Sequence, residues 1–107
     1  MFPRSQRIRT SEDIIKVIRH GKRRSQGIVT CYFLAKPGTL SRITVIVDSK
    51  VSKKAVVRNL LKRQVRAILA STALTSGDTI IRLFKGAEGI RFQELQVLVQ
   101  QCLHHLA

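Results

Sequence analysis

The sequence predicts a single α+β domain, a sandwich of helices and one sheet. Three observations carry that reading. The 107 residues suit one compact domain, and hydrophobic residues make up 44% of them, enough for a packed interior. Apolar positions recur at helical spacing in three stretches and with strand composition in others, separated by short polar joints. The order read along the chain is helix, strands, helix, strand, helix, in the pattern α-β-β-(β)-α-β-α. Residues 1–107 therefore form one domain, with residues 1–9 as a basic N-terminal arm. No repeat, low-complexity tract or linker interrupts them.

Met1 to Arg9 lacks a convincing period and reads as an extended arm. Thr10 and Ser11 offer N-cap oxygens, Glu12 and Asp13 suit the positive end of a helix, and Gly21 suits a left-handed end. Ile14, Ile15, Val17 and Ile18 supply the apolar side of this first helix. Lys22, Arg23 and Arg24 then read as a solvated basic loop.

Ile28 to Leu34 and Ile43 to Val47 are rich in β-branched residues, and Lys36-Pro37-Gly38-Thr39 stands between them. A hairpin is the simplest reading. From Lys53 to about Ala70 the period becomes helical, with Val57, Leu60, Leu61, Val65, Ile68 and Leu69 on one side. Ser76-Gly77-Asp78 makes a turn, Thr79 to Phe84 a strand, and Lys85 to Gly89 a loop. The last helix carries Phe92, Leu95, Leu98, Val99, Cys102, Leu103 and Leu106 as a core-facing stripe. Cys31 and Cys102 sit in apolar segments without metal-ligand spacing and read as buried, reduced thiols. A disulfide stays open should their segments pack together.

Charge points to a partner. Twenty Lys and Arg against six Asp and Glu give a net charge of +14, far beyond what solubility requires, and imply a polyanion. Residues 1–66 hold 17 basic and 3 acidic side chains, whereas residues 67–107 hold 3 of each. The partner should meet the first two thirds of the chain. No apolar run reaches the roughly 20 residues needed to span a bilayer, and Met1 to Thr10 lacks the apolar core of an export signal. A cytoplasmic protein without a membrane partner is expected.

On the central helix, Arg58, Asn59, Lys62, Arg63 and Arg66 fall within an arc of roughly 140°. Lys50, Lys53 and Lys54 flank its start, and no acidic residue intervenes between Asp48 and Asp78. Ordinary exposed helices mix signs for i,i+4 support. An unbroken cationic face instead matches successive phosphates, with Arg supplying planar forks and Lys point charges.

A chain that cut nucleic acid by itself through metal ions would need clustered carboxylates, and the six acids are scattered. His104 and His105 are adjacent on a helix and point about 100° apart, a poor geometry for one metal. Gly86 and Gly89 lack phosphate-loop spacing. No catalytic and no metal-binding residue is expected. A DNA-binding helix module is disfavoured for want of helix-turn-helix spacing.

The same residues carry a family resemblance. Ser49-Lys50, then Ala55-Val56-Val57-Arg58-Asn59, then Lys62-Arg63 and Arg66 resemble the signature of the bacterial ribonuclease P protein subunit, a Ser-Lys-Lys run followed by Arg-Asn-Arg-x-Lys-Arg-x-x-Arg. The Glu12-Asp13 helix start, the His20-Gly21 helix end and the strand through Tyr32 are similar too, so the resemblance covers roughly residues 7–105. Val51 and Leu60 stand where the family has cations, and Ile14 and Ile18 where it usually has Phe.

The resemblance implies an α-β sandwich with a left-handed β-α-β crossover. It implies a protein that assists a catalytic RNA, with its own Mg²⁺ ions, in removing the 5′ leader of precursor tRNA and that lowers the Mg²⁺ requirement. Lys50, Lys53, Lys54, Arg58, Asn59, Lys62, Arg63 and Arg66 would then face the RNA subunit. Tyr32, Ile14 and Ile18 would line a cleft for the leader. No cofactor would bind the protein tightly. The alternative is a small ribosomal or other structural RNA-binding protein, which shares the size, charge and α+β character.

Overall fold

The computed structural model describes residues 6–72, 74 and 76–106, without the side chains of residues 105 and 106. Met1 to Ser5 of the expected arm, and the His105 and Leu106 side chains, lie outside the described residues.

The first helix starts where its caps place it. Thr10 is extended, and its Oγ1 accepts a hydrogen bond from the Asp13 N–H at 3.2 Å, so α1 runs over Ser11–His20. Glu12 and Asp13 fill the first turn and Arg19 and His20 the last, each matching the helix dipole. Gly21 ends the helix but not in the left-handed conformation expected, since its φ is −79°. Close approach explains the glycine instead: a Cβ would meet the carbonyl oxygens of Val17 at 2.5 Å and Phe33 at 2.7 Å.

Two features of the sheet depart from the sequence reading. Lys22–Gln26 is not a loop but a strand, β1, paired antiparallel with β2 (Val29–Ala35) around a turn in which Gly27 takes φ 60°. β1 is an edge strand with four exposed residues in a row, so it lacks the alternation that betrays a strand. Its cations also discourage pairing with another chain. The expected hairpin between β2 and β3 (Arg42–Val47) does not form either. β4 (Gly77–Leu83) lies between them, antiparallel to β2 with Tyr32 opposite Ile80, and parallel to β3 with Val45 opposite Ile81. The sheet order is β1-β2-β4-β3. β4 is buried along almost its whole length, as a central strand covered on both faces must be.

Helix α2 (Ala55–Ala70) makes the crossover between the parallel strands β3 and β4, and α3 (Phe92–Leu106) closes the chain. One face of the sheet presents Val29, Cys31, Ile43, Val45, Ile81 and Leu83 to Leu61, Val65, Ile68 and Leu69 of α2 and to Leu95, Val99 and Cys102 of α3. Phe92, expected in that stripe, is half-exposed because it sits in the first turn of its helix, at the margin of the layer. The other face presents Tyr32 and Ile80 to Val17, with Ile14, Leu34 and Ile46 around them. Ile8 completes this smaller cluster. Its N–H donates to the Ile43 carbonyl at 2.8 Å, and its own carbonyl accepts from the Thr44 hydroxyl at 2.7 Å. The described end of the arm is thus docked on the outer edge of β3.

Cys31 and Cys102 are both buried free thiols, and the Cys102 thiol points at the Val29 carbonyl 3.6 Å away. Hydrogen bonding to Cys102, then burial, pushes the Cys31 thiol above its ordinary range.

Gly77 opens β4 at φ 143°, where a Cβ would strike the Leu34 carbonyl oxygen. Gly77→Ala is expected to cost about 1–3 kcal/mol from the backbone conformation alone, with the collision in addition. Urea unfolding checks this. A stability equal to wild type would contradict the packing of β4 against β2.

Candidate nucleic-acid interface

The entry to α2 is held by the side chains of Ser52 and Arg58 and not by acidic ones. Val51 is buried in the main core, and the Ser52 hydroxyl accepts from the Lys54 N–H at 3.1 Å. Arg58 Nη1 donates to the Ser52 carbonyl at 2.8 Å, folding the loop back on the helix. Lys50, Lys53 and Lys54 are left exposed at the helix start, with no acid in the first turn. Cations at the positive end of a helix are locally unfavourable. A cost of this kind, carried by a well-packed element, marks a surface shaped for binding.

Along α2, Asn59 and Arg63 are exposed while Arg58, Lys62 and Arg66 are half-buried. The basic arc therefore runs from the solvent pole of the helix down one flank. At the far end of that flank Arg66 adjoins the arm. A cavity of about 220 Å³ there is lined by Arg7, Ile8, Arg9, Ile43, Thr44, Val45 and Arg66. Burial, and then the charge of Arg7, hold the Arg66 guanidinium below its ordinary pKa. A phosphate placed there would relieve that repulsion. Sequence spacing brought Arg58 to Arg66 together but did not bring Arg7 and Arg9 to them; the signal was the arm's charge, without the β3 edge that seats it.

Leu60 corrects the apolar stripe drawn for this helix. It is 47% exposed, and Val56, one turn earlier, is 78% exposed. The helix turns its buried side toward Leu61, Val65, Ile68 and Leu69, so Leu60 falls on the solvent side beside Arg63. Val51, by contrast, points into the core.

Of the three residues assigned to a leader cleft, Ile14 packs against the cluster of Tyr32 on the sheet face, while Ile18 lies one turn further along α1, and the three differ in access. Ile18 is 38% exposed, Ile14 is half-buried, and Tyr32 is only 6% exposed within the cluster of Ile8, Val17 and Ile80. Little of the Tyr32 side chain is left accessible by that packing.

The nearby carboxylates are engaged. Asp78 is buried and receives Arg42 Nε at 2.8 Å and Nη2 at 2.7 Å, with Lys36 Nζ at 2.9 Å. Asp13 lies 3.5 Å from Arg42, and Asp48 pairs with Arg82 at 3.1 Å rather than with a cation of α2. Burial alone would raise the Asp78 pKa, but the hydrogen bonds from Arg42 and Lys36 hold it below the usual carboxylate range. His104 is exposed. Among the described residues no three His, Cys, Asp or Glu side chains gather as metal ligands, and no helix is long and apolar enough to cross a membrane.

The arrangement can neutralise a run of phosphates. Comparison with known proteins agrees in both sequence and fold. Solved structures of similar fold include a ribonuclease P protein from Staphylococcus aureus, with TM-score 0.85, 19% identity and 95% of each chain covered. Another is that of Thermotoga maritima, with TM-score 0.84, 23% identity and 94% and 97% covered. Among sequences, a ribonuclease P protein component of Streptococcus agalactiae is 32% identical over 92 residues, 84% of each chain. One from a Pseudanabaena strain is 42% identical over 69 residues, 64% of this chain and 60% of its own length. The family model described as Ribonuclease P matches residues 2–107. With that match, a relative this similar over most of its length and a shared fold, the chain belongs to the family of ribonuclease P protein components, the protein part of an endoribonuclease.

Proposed function

We propose that this protein docks on the phosphates of a catalytic RNA through the cations from Lys50 to Arg66, and holds the 5′ leader of precursor tRNA against the sheet face beside α1. The observation that carries the first half is the cationic surface of α2 and its entry loop, unbroken by any acid between Asp48 and Asp78. Lys50, Lys53, Lys54, Arg58, Lys62, Arg63 and Arg66 would meet phosphates, with Asn59 among them as a neutral hydrogen-bonding group. The second half rests on α1 leaving Ile18 exposed and Ile14 half-buried over a strip of sheet.

The chemistry belongs to the RNA and to Mg²⁺ ions held there. Asp13, Asp48 and Asp78 are committed to arginines and do not suit a metal site. The protein contributes charge. By screening two polyanions from each other it lowers the Mg²⁺ needed for the particle to work. The cytoplasm, where precursor tRNA is made in bacteria, is where it would act.

The test is binding of leader-bearing and leaderless tRNA to the particle reconstituted from protein and catalytic RNA. Tighter binding of the leader-bearing form is expected, and the preference should disappear without the protein. Equal binding of the two would remove the leader-holding half and leave the RNA-docking half standing.

A further inference from the structure

We propose that Asp48, Arg82 and Phe84 form a site for one unpaired base of the bound single strand, at the end of the sheet face that α1 does not cover. The proposal rests on the leader-holding function above and gives it a place of contact.

Position comes from register. Arg82 lies opposite Thr30 on β2 and Ile46 on β3, and alternation puts its side chain on the face of Ile80 and Tyr32. α1 crosses the other end of that face, where Asp13 reaches Arg42 and Arg42 lies opposite Asp78. Arg82 is four residues further along β4, about 13 Å at strand rise. The end it occupies is also where β3 runs into the Lys50 to Lys54 loop, so a strand leaving the α1 cleft toward the basic entry of α2 passes over it.

The two arginines of this face contrast. Arg42 is locked, with bidentate bonds to buried Asp78 and a further contact to Asp13. Arg82 is held loosely: Nη2 donates to Asp48 at 3.1 Å, its guanidinium lies over the Phe84 ring 4.8 Å from the centroid, and its Nε is enclosed without an acceptor. The side chains of Arg82 and Asp48 are 34% and 30% exposed.

Charge decides what kind of ligand fits. The Asp48–Arg82 pair is neutral overall, so it adds little to phosphate attraction, unlike the uncompensated cations of α2. What it offers is a guanidinium plane already backed by an aromatic ring, with free N–H donors beside a carboxylate that has lone pairs to spare. Those are the requirements of a nucleobase, which stacks on a flat cation and carries both donors and acceptors at its edge.

The experiment uses the reconstituted particle and precursor tRNAs whose leader nucleotides are replaced, one at a time, by abasic residues. With wild type, one position should weaken binding about tenfold, the scale of a single stacked base. Arg82→Lys keeps the charge and the partner Asp48 but loses the plane, and Phe84→Leu keeps apolar cover but loses the ring. Each variant should flatten the abasic profile at that one position while the preference for leader-bearing tRNA, though reduced, persists. Two outcomes overturn the proposal: an abasic profile unchanged in both variants, or loss of about one unit of salt slope in Arg82→Gln, which would make Arg82 a phosphate contact. A wild type that never distinguished leader-bearing from leaderless tRNA would instead sink the leader function itself.

Discussion

Replacing Arg58, Lys62, Arg63 and Arg66 together by Gln is expected to weaken binding to the catalytic RNA by about a thousandfold, at roughly 1 kcal/mol for each charged contact. The logarithmic salt dependence of binding should flatten by about three to four units, since each neutralised phosphate contributes somewhat under one. Glutamine preserves most of the aliphatic stems of Arg58, Lys62 and Arg66, which are half-buried, so the fold should survive. The loss should be indifferent to local base identity. Affinity that fell while the salt slope held constant would mean that these residues act through packing or base contacts, and the electrostatic account of α2 would be wrong.

Asp78→Ala is expected to destabilise the protein by about 3–5 kcal/mol, because it strands Arg42 and Lys36 around a buried position stripped of its counter-charge. The site ties the start of β4 to β3, to the end of β2 and, through Asp13, to α1. The pH dependence follows from the depressed pKa of Asp78. Its carboxylate contributes stability that is fully present above the unfolded-state value near 4 and is lost as pH falls through the lower folded-state value. Urea unfolding between pH 7 and pH 2 should show this loss in wild type and a weaker one in Asp78→Asn. Parallel curves for the two would contradict the assignment.

Much of this was legible in the sequence where the determinants are local. Thr10, Glu12 and Asp13 announced α1, and the spacing of Leu61, Val65, Ile68 and Leu69 announced α2. Strand pairing was not legible. Lys36 to Thr39 has the composition of a hairpin turn, yet β2 takes β4 as its neighbour, because the most apolar strand belongs in the centre of a sheet covered on both faces. β1 was invisible for the opposite reason, being an exposed edge with charges in succession. The cations of α2 could be placed from helical geometry alone, but Arg7 and Arg9 reach them only through the pairing of the arm with β3. Asp48 and Arg82 are 34 residues apart, and nothing in either segment marks them as partners.

Cleavage of precursor tRNA across a Mg²⁺ titration, by protein alone, by catalytic RNA alone and by the two together, tests the central claim most directly. The protein alone should cleave nothing at any Mg²⁺ concentration, and the pair should reach half-maximal cleavage at less Mg²⁺ than the RNA alone, by virtue of the charge of +14 that the protein brings. Cleavage by the isolated protein, or a Mg²⁺ midpoint unmoved by its addition, would contradict the account.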